Sequence, residues 1–303
     1  MAKKKETVSE KAKKSFSNNK KLLLISTILS AAIIFSVIIY HVFWRFSEAE
    51  FPMRAVIIDQ VGANPQSSTE EMRRFNETAA RLLRNAGFEV FYYGSEKVKV
   101  SLYSELAKNN YGIIILRTHS ALRIEETLVD FFTSEEFREG VYSNELNSGL
   151  LTIGNYSWVP NKYFFAVTPK FIEKLDGVFP GSIVIAMGCS SLKAGYEEMA
   201  DAFIKKGAKV YIGWTEPVSI THSDNSTLRF LQYFLADDKT VSDAINMCNQ
   251  FKDLEWPSTK LSYRLKEEKI ASYRLSDFVA NAILSFQLFS RWKKLLAKVL
   301  LVL

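Results

Sequence analysis

The sequence predicts an α/β protein built on a mostly parallel sheet. Short apolar segments rich in β-branched residues recur along the chain and predict strands. Segments with helical start and stop signals separate them, and this alternation is typical of parallel sheets, whose strands need crossover connections. The chain has 303 residues, 48% of them hydrophobic and 24% charged, which is an ordinary balance for a globular protein.

The first part of the body contains three predicted strands with two helices between them. The strands are residues 54–59, 88–93 and 112–117. A capping-box pattern at Ser68 and Glu71 predicts the start of the first helix, and Gly87 is a typical residue just beyond its end. Ser101 begins the second, shorter helix. Asp59, near the end of the first strand, is interpreted as a turn former, with a metal or acid role as the alternative.

Residues 121–180 are less regular and rich in aromatic side chains. They predict a loop or short helix, then a β-hairpin over residues 150–167, then a small helix from Pro169. An insertion of this length between two core strands usually serves function, as a lid or as a wall that sets specificity.

The strand–helix alternation then returns. The predicted elements are a strand at 182–187, a helix ending at Gly207, a strand at 208–214, and helices at 225–235 and 241–251. Residues 253–303 are predicted to be a C-terminal helical or amphipathic extension. Its apolar runs are too short to span a bilayer, so it either lies on the membrane surface or packs against the domain.

The N-terminus predicts a membrane anchor. The run from Leu22 to Phe43 contains no Asp, Glu, Lys or Arg and is long enough to cross a bilayer as a helix. Eight lysines precede it, so the positive-inside rule places residues 1–21 in the cytoplasm as a basic tail and the following domain outside the cell. A cleaved signal peptide is the alternative, but no small-x-small cleavage site follows this run. We therefore expect a single-pass protein of the cell membrane, with lipid as a partner.

Charge and composition exclude several classes of function. Residues 1–21 hold eight lysines and two glutamates, which accounts for the net charge of +6, and the rest of the chain is close to neutral. The body carries no zinc-finger spacing or RNA-binding signature, so no nucleic-acid partner is expected. No metal or cofactor is predicted. A nucleotide- or sugar-binding α/β enzyme is a third hypothesis, disfavoured because neither G-x-G-x-x-G nor a P-loop follows the first strand.

Two predicted strands end in residues that suit nucleophilic chemistry. His119 follows the strand at 112–117, and Cys189 follows the strand at 182–187. The carboxyl ends of parallel strands share one edge of a sheet, so neighbouring strands would bring an imidazole and a thiol together, as a cysteine nucleophile and its base require. Taken alone, each residue is more often structural. The other cysteine, Cys248, lies on a predicted helix, and two cysteines are too few for a disulfide scaffold.

These segments resemble the caspase-like fold of clan CD cysteine peptidases, with gingipain-type peptidases and the CHAT domain as the nearest likenesses. The resemblance rests on three segments: Ile-Leu-Arg-Thr-His119-Ser, Ala-Met-Gly-Cys189-Ser-Ser, and the stretch from Ala200 to Ser219. It implies a caspase-like three-layer αβα sandwich over residues 54–252.

The resemblance also implies a His–Cys dyad acting on a peptide or protein substrate. Cys189 would attack the carbonyl, His119 would act as base and then protonate the leaving amine, and the backbone N–H groups of Ser120 and Cys189 would stabilise the oxyanion. The family usually has glycine where this chain has Ser120. The alternative hypothesis is therefore a catalytically inactive caspase-like module for protein interaction at the membrane, with an unknown partner.

A polar cluster after the strand at 208–214 is a candidate substrate pocket. Its members are Trp214, Glu216, His222 and Asp224. The resemblance implies that this loop borders the substrate, where Glu216 or Asp224 would receive a basic side chain. The alternative is an acidic loop in which Asp224 caps the next helix.

Overall fold

The computed structural model describes residues 51–63, 69–156 and 159–280. The predicted basic tail and membrane anchor, Ser68 of the capping box, and the extension beyond residue 280 lie outside the described residues. Within those ranges, no helix combines the length and the apolar character that crossing a membrane requires.

The described residues form two sheets and a set of helices. The strands are β1 (Arg54–Asp59), β2 (Glu89–Tyr93), β3 (Ile113–Arg117), β4 (Ser120–Arg123), β5 (Leu128–Glu136), β6 (Leu151–Asn155), β7 (Tyr163–Val167), β8 (Ile183–Ala186), β9 (Val210–Trp214) and β10 (Leu261–Leu265). The α-helices with both ends in the described residues are α1 (Thr69–Asn85), α2 (Val100–Glu105), α3 (Ser143–Asn147), α4 (Pro169–Lys174), α5 (Glu198–Lys205), α6 (Ile220–Leu231) and α7 (Val241–Cys248).

The central sheet has six strands in the order β10-β9-β8-β3-β1-β2. All neighbours are parallel except β10, which runs antiparallel to β9 with Leu261 opposite Trp214. The five parallel strands confirm the predicted α/β class and its mostly parallel sheet. The strand β10 was not predicted, because it lies in the region for which a helical extension was expected. Its five residues alternate apolar and polar side chains and pair with β9 at the sheet edge.

Helices cover both faces of the central sheet. The middle strands β3 and β8 are buried along their whole length and are apolar except for Arg117 at the end of β3, as expected for parallel strands that are covered on both sides. Successive residues of each strand point to opposite faces, so Ala55 and Ile57 pack with α1, α6 and α7, whereas Val56 and Ile58 pack with α2, α4 and α5. The result is three layers, with the sheet in the middle.

The insertion between β3 and β8 forms a second, antiparallel sheet with strand order β4-β5-β7-β6. The predicted hairpin is confirmed as β6 and β7. The loop or short helix predicted before it was wrong for β4 and β5, although α3 follows them. Pairing on both sides stabilises β5 by burying Phe131 and Phe132, and Arg123 neutralises Asp130 across the strand pair. The inner face of this sheet packs on the α2, α4 and α5 side of the core.

Candidate active site

His119 lies where the chain passes from the central sheet into the second sheet. It follows β3 by two residues, and Ser120 then begins β4. Its backbone N–H donates to Gln60 Oε1 at 2.9 Å, and its carbonyl accepts from the Phe132 N–H at 3.0 Å. Its ring packs against the Tyr156 ring with centroids 5.1 Å apart. The residue is therefore held by its backbone on both sides.

The surroundings of His119 keep its imidazole neutral. Burial, and next the positive charge of Arg117, lower the pKa of His119 to about 4. At neutral pH the ring therefore carries a lone pair that can accept a proton.

Cys189 lies at the corresponding end of β8, in a polar turn. Its Sγ is 3.5 Å from the Val218 carbonyl oxygen, and its side chain is partly exposed. Burial raises the pKa of the Cys189 thiol above its ordinary value, so the free protein holds a thiol and not a thiolate at neutral pH. Attack by this sulfur therefore requires a base.

The pairing of β3 with β8 brings His119 and Cys189 to one corner of the sheet. Leu116 is opposite Ala186, and the Met187 N–H donates to the Leu116 carbonyl at 2.9 Å. One step further, the Ser120 hydroxyl donates to the Cys189 carbonyl at 2.5 Å. The two loops that carry the candidate dyad are thus joined directly.

Backbone geometry in the Cys189 turn depends on two neighbouring residues. A side chain on Gly188 would overlap the Ser120 hydroxyl, and its Cβ would lie 2.6 Å from the Thr118 carbonyl oxygen, so only glycine allows this close approach. Ser190 has φ +52°, in the left-handed region, and its N–H donates to the Glu216 carbonyl at 3.0 Å. The turn is therefore tight, and it is tied to the loop after β9.

The backbone groups assigned to oxyanion stabilisation lie on the two sides of this junction. Ser120 opens β4 opposite Phe131, and its hydroxyl is also engaged. Backbone hydrogen bonds with Val218 and with Cys189 itself lower the pKa of the Cys189 thiol, which partly offsets the increase that burial causes.

The four residues of the candidate pocket do not converge on one point. Trp214 is buried, and its indole N–H donates to Ser223 Oγ at 3.1 Å. The His222 ring packs against Trp214 with centroids 5.3 Å apart, and burial lowers the pKa of His222. The Glu216 carboxylate accepts from Lys193 Nζ at 2.8 and 2.9 Å.

Asp224 belongs to a buried ion network that the sequence did not predict. Arg117 donates to both Asp224 oxygens, at 2.8 and 2.7 Å, and to Asp59 Oδ1 at 2.7 Å. Asp224 lies inside α6, whose N-cap is Ser219, so it does not cap that helix. Asp59 also accepts from the Gly62 N–H at 3.1 Å, as a turn former would. The sequence signal that could have indicated this network is that β1 ends in Asp59 and β3 ends in Arg117, each directly after an apolar run.

Gln60 and Tyr156 are further residues near His119 that sequence reasoning missed. They come from the loop after β1 and from the end of β6, and no periodicity links such positions to His119. Across the three described ranges, no cluster of three or more His, Cys, Asp or Glu side chains is placed to hold a metal ion.

No model of a known protein family matches the chain. No curated protein matches it at a significant level.

Proposed function

We propose that this protein is a membrane-anchored, caspase-like cysteine peptidase that hydrolyses peptide bonds with Cys189 and His119. The observation that carries the proposal is the β3–β8 pairing, which delivers a neutral imidazole and a thiol to the same sheet corner. The order of the central strands and the three layers support a caspase-like fold, as does the presence of an insertion directly after His119.

The proposed reaction begins from two uncharged groups. As Cys189 Sγ bonds to the substrate carbonyl carbon, its proton passes to His119. The backbone N–H groups of Ser120 and Cys189 are the proposed donors to the resulting oxyanion. The imidazolium, disfavoured by burial, gives its proton to the leaving amine as the C–N bond breaks. Water then attacks the acyl-enzyme with His119 as base, which releases the acid and restores the thiol.

Glu216 is the proposed acidic residue of the substrate pocket. It is partly exposed and already paired with Lys193. A basic substrate side chain would have to displace that lysine. Asp224 has no such role in the proposal, because Arg117 occupies both of its carboxylate oxygens.

The membrane anchor is proposed from the sequence alone. The uncharged run from Leu22 to Phe43 follows eight lysines, which favours a cytoplasmic N-terminus and an external domain. Protease treatment of intact cells should remove a C-terminal tag and spare an N-terminal one. Protection of both tags would contradict this orientation.

Covalent labelling with electrophilic peptide probes tests the dyad. The full chain should react at Cys189, and the reaction should be lost in Cys189→Ala and in His119→Ala. Cys248→Ala is the matched control: Cys248 is buried, its thiol bonds to the Ser226 carbonyl, and burial raises its pKa to about 12. Equal reactivity of the two cysteines, unchanged without His119, would contradict the peptidase.

One observation favours the inactive binding module as a second candidate. Ser120 stands where the family usually has glycine, and its hydroxyl binds the Cys189 carbonyl. If this bond restrains the turn, Ser120→Gly should label faster than wild type. Absence of labelling in both proteins, with every probe, would favour the module.

A further inference from the structure

Gln60 is a buried polar residue that connects three parts of the molecule. It is 3% exposed and follows β1 directly. Its N–H donates to the Arg117 carbonyl at 2.9 Å, its Oε1 accepts from the His119 N–H at 2.9 Å, and its Nε2 donates to the Tyr156 hydroxyl at 2.6 Å. The His119 N–H can only donate, so the orientation of the Gln60 amide is fixed.

Tyr156 brings the end of the second sheet over the imidazole. It is 8% exposed, and its ring lies 5.1 Å from His119, 4.7 Å from Phe132 and 5.1 Å from Phe164, measured between centroids. Gly154 permits this packing, because a Cβ there would lie 2.6 Å from Phe132 Cε1. The ring is thus confined on several sides, and its hydroxyl ends at Gln60.

The two residues form a continuous path from β1 to the candidate base. Gln60 holds the backbone of His119 and the far end of Tyr156, while the Tyr156 ring packs on the imidazole. These contacts come from the residue after β1 and from the residue after β6 of the second sheet.

We propose that Gln60 and Tyr156 are positioning residues that hold the His119 ring in one orientation at the corner it shares with Cys189. Their catalytic importance rests on the proposed peptidase function, whereas their effect on the His119 ring does not. Loss of either side chain would let the imidazole rotate and admit water around it. A base displaced in this way loses rate because near-attack geometry is lost.

Three variants separate the contributions of the two side chains. Gln60→Met removes both amide hydrogen bonds at similar length, Tyr156→Leu removes the ring, and Tyr156→Phe removes only the hydroxyl. Tyr163→Phe, an exposed tyrosine on β7 of the same sheet, is the matched control.

The first readout is the titration of His119 followed by NMR on the full chain with ring-labelled histidine. The chain has three histidines, so His119→Gln assigns the signal. Arg117, whose charge lowers the pKa of His119, and the Tyr156 phenol, whose ring packs on the imidazole, lie near the ring, and the Cys189 thiol is its partner in the proposed dyad. In wild type His119 should remain neutral above pH 5. In Gln60→Met and Tyr156→Leu it should take up its proton at higher pH, because water reaches the ring.

The second readout is the rate of probe labelling at Cys189. The maximal rate should fall about 10- to 100-fold in Gln60→Met and Tyr156→Leu and less in Tyr156→Phe, with half-saturating probe concentrations unchanged. An unchanged His119 titration in all three variants, or a loss of rate matched by Tyr163→Phe, would overturn the proposal. If wild type is not labelled, the peptidase proposal fails and the titration alone still decides the positioning role. If Gln60→Met does not fold, the Tyr156 variants decide it.

Discussion

Replacing Arg117 with methionine should destabilise the fold by about 3–5 kcal/mol at neutral pH. Arg117 is 1% exposed, and its guanidinium lies between the carboxylates of Asp59 and Asp224. Although burial opposes its charge, hydrogen bonds and attraction from the two aspartates outweigh that effect and raise its pKa. Methionine fills similar space without charge, so two neighbouring carboxylates would remain without a counter-ion.

Loss of the Arg117 side chain should affect Asp59 and Asp224 unequally. Asp59 keeps donors from Gly62, Asn76 and Tyr92, at 2.8 to 3.1 Å, whereas Asp224 loses both hydrogen bonds that Arg117 gives it. Asp224→Asn leaves a balanced Arg117–Asp59 pair and should cost about 1–3 kcal/mol. The double variant retains one carboxylate, Asp59, which is buried but keeps three hydrogen-bond donors, so its cost should be below the sum of the single costs by about 1–3 kcal/mol.

The two single variants and the double variant form a double-mutant cycle. Their free energies of unfolding are measured by urea unfolding of the full chain, followed by tryptophan fluorescence at pH 7.5 in low and high salt. Because the network is buried, the destabilisation by Arg117→Met should be the same at both salt concentrations. Arg264→Met is the control, since its ion pair with Asp201 is half exposed and should contribute below about 1 kcal/mol. Destabilisation by Arg117→Met of less than about 1 kcal/mol, or additive effects of the two substitutions, would refute the reasoning.

Three further predictions concern the candidate dyad. Gly188→Ala should lower the free energy of unfolding by about 1–3 kcal/mol and slow probe labelling, because its Cβ would overlap the Ser120 hydroxyl; wild-type values for both would contradict this. Iodoacetamide should alkylate Cys189 faster with each pH step from 6 to 9, because burial raises the thiol pKa; a plateau from pH 7 would indicate a thiolate. The folded pKa of His119, about 4, lies below the unfolded value of about 6.5, so its contribution to stability should be complete above pH 6.5 and lost as pH falls towards 4. Urea unfolding at pH 7.5 and 5 should show a smaller pH effect in His119→Gln than in wild type, and equal effects would count against this.

The parallel core could be predicted because burial on both faces leaves a continuous apolar run in the sequence. The strands β3 and β8 are such runs, and each is followed within three residues by the member of the dyad that it carries. The strands β5 and β10 leave no such continuous apolar run. In β5 polar residues alternate irregularly with apolar ones, whereas β10 alternates regularly over only five residues, and in both strands pairing with neighbours decides the conformation.

The partners of the candidate dyad were not predictable for a different reason. Gln60 is 59 residues from His119 in sequence, and its contact exists only because β1 and β3 are parallel neighbours. Asp224 is 107 residues from Arg117 in sequence. An aspartate near the start of a helix equally predicts a helix cap, so the sequence does not distinguish a cap from an ion-pair partner. Sequence spacing gives the end of each strand, whereas the side chains that meet there depend on the packing of separate elements.

The second sheet also bears on the order in which the chain can assemble. Pairing β3 with β8 closes a loop of about 65 residues, a cost that grows with the logarithm of loop length. The second sheet forms from residues close in sequence, and it places Ser120 two strands from Val167, about 10 Å away. Once it is formed, only about 15 residues, those of α4 among them, remain before β8, which lowers the closure cost by about 1 kcal/mol. If this sheet forms first, it shortens the loop that must be closed and thereby favours the pairing of the strands that carry His119 and Cys189.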